Sequence, residues 1–502
     1  MPSRSALPPL ILAAALLAAT FAEAQPPFRS VPALLDSLEA ASALADASAR
    51  DAALDAIWSN LRVADRIPFT AGDSALFLWR GSASGVSVAG DHTGWSPSAT
   101  PLRRLGLGDV WARADRFPEA ARLDYKLVVG GSWILDPNNP HQQWSGFGPN
   151  SELRMPAWVF PEETVRGDGV PAGTMGPQVT LTSTHYGTPV LYRVYTPAAY
   201  DGETPLPVVY VTDGHEYADA RLGALPIVLD NLIASGDVEP ALIVFVDPRY
   251  GGTNRRQEQY VQNDGFARLI AEDLVPAIDA AYATRTDAAS RVILGTSLGG
   301  LFSVYLGLNH PDVFGKLAVQ SPAFWVSESP DWWSGASIYD QVEAASDTWQ
   351  IHMTTGTIND TEDGARRMRD VMTARGLDLT YAEVPEGHSW GNWRALLDDA
   401  LRTLLSAGII LPTEPPPAGG LRLRAFPNPA RAFVTFEVDG SAYPVQIACA
   451  DSLGCEVLAV TTSAHRTTHA VRVPLAAFAP GVYACTARSG DARTVRTVTI
   501  AR

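Results

Sequence analysis

Gly295-Thr-Ser-Leu-Gly-Gly300 constrains this chain more than any other stretch, because of what lies on either side of it. The apolar run Arg291-Val-Ile-Leu294 precedes it, and Leu301, Phe302, Tyr305 and Leu306 follow at helical spacing. A serine between small residues, placed where a strand gives way to a helix, fits a sharp and strained turn that lifts its hydroxyl clear of a sheet. Such a turn requires a buried strand in a sheet connected by crossover helices.

The surrounding pattern supplies that sheet. Pro207-Val-Val-Tyr-Val211 and Ala241-Leu-Ile-Val-Phe-Val246 read as strands covered on both faces. Phe266, Leu269, Ile270, Leu274, Ile278 and Tyr282 recur at helical spacing, with Pro276 expected to kink or divide that helix. Trp393, Leu396, Leu397, Ala400, Leu401, Leu404 and Leu405 predict one terminal helix. Ile351–Thr355 reads as a strand running into Gly356-Thr-Ile-Asn-Asp360, and Tyr381–Val384 as another running into Pro385-Glu-Gly-His388. Serine, acid and histidine at the ends of successive strands follow the chain order of an α/β-hydrolase. Residues 175–410 are therefore expected to be of the α/β class, an α/β-hydrolase with a doubly wound sheet.

The chemistry follows from the residue types. A serine hydroxyl is a poor nucleophile near neutral pH, so Ser297 needs His388 to take its proton and Asp360 to hold the imidazole in the useful tautomer. Glu362 and Asp363 share the Asp360 loop and remain alternative acids. The oxyanion formed on attack needs donors: the backbone N–H of Leu298, and a second from Asp213-Gly-His215, where Gly214 is expected to allow close approach to a substrate and Gly214 or His215 to donate. No metal or cofactor enters this scheme. A peptidase would use the same triad.

The flanks read differently. Arg4, the run Leu10–Ala19 and Ala22-Glu-Ala24 fit a secretory signal peptide over residues 1–24, too short to cross a bilayer. Residues 25–64 form a helical lead segment, and 65–165 switch to short β-like runs such as Ala75–Trp79, Val86–Ala89 and Tyr125–Val129, the spacing of a β-sandwich. Residues 411–420, with Pro415-Pro-Pro417, form a linker, and 421–502 a second, small β-sandwich. Cys449, Cys455 and Cys485 all lie near the end, so no disulfide or thiolate metal framework organises the first 448 residues. With 54 acidic against 38 basic residues the net charge is −16, which argues against nucleic acid as a partner. The expected destination is outside the cell or at its surface, without a transmembrane anchor in the mature chain.

Three resemblances sharpen this reading. Asp213-Gly214, Arg255-x-x-Glu258, Gly-Thr-Ser297-Leu-Gly-Gly, Gln320-Ser-Pro322, Gly356-Thr-Ile-Asn-Asp360 and Gly387-His-Ser-Trp390 with Trp393-Arg394 resemble the enterochelin-esterase-like, or esterase D-like, branch of α/β-hydrolases. That resemblance implies carboxylic-ester hydrolysis by Ser297, Asp360 and His388, and Ser389 stands where such enzymes often carry an acidic residue. Arg255, Glu258, Trp325 and Trp390 are the expected substrate contacts, and two ester classes fit: a feruloyl- or acetyl-polysaccharide, or a catecholate siderophore lactone. The block Val88-Ala-Gly-Asp-His-Thr-Gly-Trp95 with Trp133-Ile-Leu-Asp-Pro-Asn-Asn139 is similar to early-set, glycogen-binding-like sandwiches. Its Trp95, Trp133 and Trp144 are expected as core aromatics, with sugar stacking the lesser alternative. Ala425-Phe-Pro-Asn-Pro429, Leu453-Gly454 and Pro480-Gly-Val-Tyr483 resemble the sorting domain of type IX secretion substrates, which implies the type IX machinery as a partner. A carbohydrate-binding surface protein with an inactive hydrolase fold is the rival from another class.

Overall fold

The computed structural model describes residues 28–405 and, between 422 and 500, the strands with a few adjoining positions. The expected signal peptide and linker lie outside the described residues. The chain divides into two compact units between Gly408 and Ile409.

Two helices, Val31–Ser42 and Ala47–Val63, open the first unit. Ser30 and Asp46 cap them, each side-chain oxygen accepting a first-turn N–H. Leu34, Leu38, Leu54 and Leu61 then pack against Phe69, Leu76, Leu78 and Val110. Ala75 and Phe77, pointing the other way from the same strand, fill the space beneath Val86, Val88, Leu123, Tyr125 and Leu127. The strand Ser74–Arg80 is thus buried on both faces, by the helices and by a second sheet. The sandwich has a four-stranded sheet, in which Ser74–Arg80 pairs Val110–Arg116, and a six-stranded one in which Arg122–Val129 lies between Val86–Gly90 and Gly148–Arg154.

The α/β sheet has nine strands. Its parallel core runs in space Leu242–Asp247, Val208–Val211, Arg291–Thr296, Lys316–Gln320, Gln350–Gly356, Asp378–Val384. Val190–Thr196 joins antiparallel to Leu242–Asp247. One face is covered by residues such as Phe266, Leu274, Phe302 and Met368, the other by Leu225, Leu229, Trp390 and Leu401. This is the doubly wound α/β-hydrolase arrangement, and the strands of the expected nucleophile, acid and base all point toward one rim.

Two helical expectations need refinement. The helix around Pro276 continues, but through a π-turn, Leu269–Leu274, between Asp264–Arg268 and Val275–Ala281. Proline lacks an N–H and its ring clashes with a carbonyl one turn back, and the widened turn accommodates both. The single terminal helix is instead two, Trp390–Ala395 and Leu397–Leu404. The Trp393 carbonyl at the break accepts a hydrogen bond from Gln320 Nε2 at 2.8 Å.

The second unit contains a three-stranded and a four-stranded antiparallel sheet around Phe436, Val438, Ile447, Tyr483 and Ile500. A Cys449–Cys485 disulfide joins the paired strands Gln446–Ala450 and Gly481–Ser489.

Candidate active site

Ser297 has φ 58° and ψ −119°, a conformation that side chains other than hydrogen rarely adopt. The surrounding fold enforces it. Its N–H donates to the Gln320 carbonyl at 2.9 Å, and its carbonyl accepts from Ala323 N–H at 2.9 Å and Leu301 N–H at 3.1 Å. A Cβ on Gly295 would collide with the Gly299 backbone and lie 2.5 Å from Thr212 Oγ1, and one on Gly299 would strike the same hydroxyl. The turn closes because both positions are bare.

Ser297 Oγ lies 3.0 Å from His388 Nε2, and His388 Nδ1 lies 2.6 Å from Asp360 Oδ1. The imidazole is 35% exposed at the side chain while the carboxylate is fully buried, so the base meets solvent and its orienting acid does not. Asp360 Oδ2 accepts from Ser321 Oγ at 2.6 Å and Gly356 N–H at 2.5 Å. Burial alone would raise the Asp360 pKa, but hydrogen bonds from His388, Ser321 and Gly356 hold it below its ordinary value. The alternatives are placed elsewhere: Glu362 begins the helix Glu362–Ala374, and the Asp363 carboxylate is exposed beside Arg366.

Leu298 is the first residue of the helix behind the elbow, where backbone N–H groups have no carbonyl one turn earlier to bond. Across from it, Gly214 opens the short helix Gly214–Tyr217. A Cβ there would lie 2.5 Å from the Phe245 carbonyl carbon, so glycine is needed to pack this loop on its neighbouring strand. The loop is tied to the elbow: Arg256 Nε donates to the Asp213 carboxylate at 2.9 Å and Arg256 Nη2 to the Thr296 carbonyl at 3.0 Å. His215 lies 3.4 Å from Asp247 Oδ1, and burial, opposed by that carboxylate, lowers its pKa.

Residues 183–404 match the family described as "Putative esterase", and residues 424–501 match the secretion system C-terminal sorting domain. Residues 183–404 are an esterase-family domain. Over 241 residues the chain is 27% identical to an endo-1,4-beta-xylanase/feruloyl esterase of Xylanibacter ruminicola, covering 46% of this chain and 32% of that protein. Over 225 residues it is 24% identical to the iron(III) enterobactin esterase of Dickeya dadantii, covering 42% of this chain and 51% of that one. The chain thus spans about half or less of these two relatives. In fold it is similar to the enterobactin esterase of Shigella flexneri, at 20% identity and a TM-score of 0.56, over 66% of this chain and 92% of that one. The sorting domain indicates export to the cell surface or beyond, and no helix among the described residues is long and apolar enough to cross a membrane.

The expected substrate contacts of the esterase domain fare unequally. Trp325 is 53% exposed and meets Trp332 edge to face at 5.9 Å, on a turn fixed to the elbow through Ala323. Arg255 and Glu258 pair with each other at 2.9 Å, and Tyr186 donates to Glu258 at 2.6 Å. Trp390 is a correction: it is buried edge to face against Tyr217 and Trp393 and donates to Glu216, so it supports the site from beneath. The sandwich tryptophans are another. Phe77, Phe117 and Tyr125 fill the space between its sheets, which leaves Trp95 stacked on a half-exposed Trp133 and Trp144 under the Arg221 guanidinium.

Sequence reasoning missed Ser321, Asn392 and Trp393 as site residues. Ser321, at φ 39°, passes a hydrogen bond from Trp393 Nε1 on to Asp360, and Trp393 meets the His388 ring edge to face at 4.9 Å. Asn392 Nδ2 donates to the Gly387 carbonyl at 3.0 Å. The Gln320-Ser-Pro322 match was the available signal for Ser321, and the Trp393-Arg394 match the one for Trp393.

Proposed function

We propose that this chain is an exported serine esterase, a carboxylic-ester hydrolase working through Ser297, His388 and Asp360. One observation carries the reading: a strained serine hydroxyl within hydrogen-bond reach of an imidazole whose far nitrogen faces a buried carboxylate. As Ser297 Oγ attacks the ester carbonyl, His388 Nε2 takes its proton and Asp360 holds Nδ1–H. Leu298 N–H and a donor from Gly214 or His215 receive the oxyanion. His388 then protonates the departing alcohol, leaving an acyl-enzyme. Water, deprotonated by the same imidazole, releases the acid and restores Ser297.

The substrate class we favour is an esterified polysaccharide, feruloyl or acetyl. The exposed Trp325–Trp332 pair beside the elbow suits an aromatic or sugar ring, and a relative named as a xylanase/feruloyl esterase supports it. The catecholate lactone is the second reading, favoured by the enterobactin esterase relative. Turnover of p-nitrophenyl acetate, methyl ferulate and a catecholate trilactone by wild type and Ser297→Ala tests both levels. The expected result is loss of nearly all turnover in the variant and a preference for methyl ferulate in the wild type. Near wild-type hydrolysis by folded Ser297→Ala would refute the mechanism, and preference for the trilactone would reverse the substrate assignment.

A further inference from the structure

A group of buried charges lies where the sandwich meets the loop of His388. Arg122 begins the strand Arg122–Val129 and has no solvent exposure. Its Nε donates to Glu152 at 2.6 Å, its Nη2 to Asp124, and its Nη1 to Ser389 Oγ at 3.0 Å, with Glu386 Oε2 3.7 Å away. Burying a guanidinium is costly unless its donors are met, and the acids that meet them are themselves buried.

These contacts are concentrated on the residues that flank His388. The Arg122 backbone N–H donates to the Pro385 carbonyl at 3.3 Å, and Trp158 Nε1 to Glu386 at 3.2 Å. Gly387 lies so close to Asp91 that any side chain there would overlap the carboxylate, and at Gly391 it would overlap the Arg122 guanidinium. The acid loop is held by the same region: Asn359, at φ 51° and adjacent to Asp360, donates from Nδ2 to the Asp91 carbonyl at 2.8 Å. The hydrogen bonds described for Ser297 come from the α/β sheet's own segments.

We propose that Arg122 is a positioning residue for the hydrolytic reaction, and that the sandwich is a clamp that sets His388 and Asp360 against Ser297. Arg122 touches none of the reacting atoms. It acts through Ser389 and the Glu386 segment, fixing the imidazole by the residues on each side of it. This inference rests on the Ser297–His388–Asp360 mechanism proposed above.

The test uses the full chain and p-nitrophenyl acetate. Ser389→Ala removes one link between Arg122 and the loop and leaves the acids around Arg122 in place. Small misplacements of catalytic groups cost large factors in rate, so the kcat of folded protein is expected to fall about 10-fold with KM near wild type, while the guanidinium donor left unmet lowers the thermal midpoint. Ser389→Thr, which keeps the hydroxyl, is expected to recover most of the loss. Arg122→Lys keeps the charge without the fork and is expected to lose at least as much. Adding Ser389→Ala to it is expected to cost little more, since both break one link. A merely structural contact would lower the midpoint and leave the kcat of folded protein unchanged. Wild-type kcat in folded Ser389→Ala overturns the proposal, and that variant decides it even where Arg122→Lys does not fold. Should Ser297→Ala retain activity, the hydrolytic mechanism itself fails. Should Ser297→Ala be inactive while Ser389→Ala is unaffected, only the clamp fails.

Discussion

The two halves of the candidate site are built by different means. Ser297 is held by its neighbours in the α/β sheet: Gln320 and Ala323 fix its backbone, and two bare glycines let the turn close against Thr212. His388 and Asp360 lie on loops braced from a separate β-sandwich, through contacts such as Arg122–Ser389, 267 positions apart in sequence. A local turn is encoded by a local pattern. A brace between domains is encoded by residues with no shared motif, and its chemistry shows only once the chain is folded.

The comparison is broken most severely on the elbow side. Gly295→Ala drives a methyl into the Gly299 backbone and Thr212, neither of which can yield, so folded protein is expected to be lost or ester turnover to fall more than about 10³-fold. Circular dichroism with kcat on p-nitrophenyl acetate checks this. On the loop side, Asp360→Asn keeps the shape but favours the wrong imidazole tautomer. A fall of roughly 10³–10⁴-fold in kcat, with little change in thermal midpoint, is expected.

Ser321→Ala sharpens the contrast, because it loosens the acid without touching the sandwich. The lost donor had stabilised the ionised Asp360, so the carboxyl pKa rises. With the carboxylate that orients the imidazole less firmly held, kcat on p-nitrophenyl acetate is expected to fall about 10-fold at neutrality.

The buried charges of the clamp predict a pH dependence of stability. Burial pushes Glu386 up to about 7, partly opposed by Arg122 and reinforced by Glu152 and Asp124. It also raises Asp91, whose neighbour Asp124 adds to the rise while Arg122 opposes it. Both carboxyls hold protons more tightly folded than unfolded. Their contribution is therefore full below the unfolded value of about 4 and declines as pH climbs through the folded values. Asp360, shifted the other way, contributes evenly across pH 6 to 9. Between about pH 6 and about pH 9, Glu386→Gln should therefore lose less in thermal midpoint, or gain more, than the wild type does. The smallest effect is expected from Glu362→Gln, at the start of its helix, with kcat within about twofold of wild type.

Legibility follows the same division. The elbow and the parallel strands could be read because each depends on spacing over a few residues. The exchange of Trp390 from substrate contact to buried support could not, since an indole beside a catalytic histidine looks alike in sequence whether it faces solvent or core. Nor could the exposure of Trp133, with Trp95 stacked on it, which depends on Phe77, Phe117 and Tyr125 having already filled the sandwich. Arg122 belongs to no motif. Only its burial among Asp124, Glu152 and Glu386 gives it a role.

The most direct measurement is peptide mapping by mass spectrometry after fluorophosphonate treatment, with residual ester hydrolysis followed in parallel. One adduct per chain on Ser297, with activity falling in step with its occupancy, is the predicted result. Hydrolysis that persists when Ser297 is fully occupied, or inactivation that tracks modification of a different residue, would contradict it.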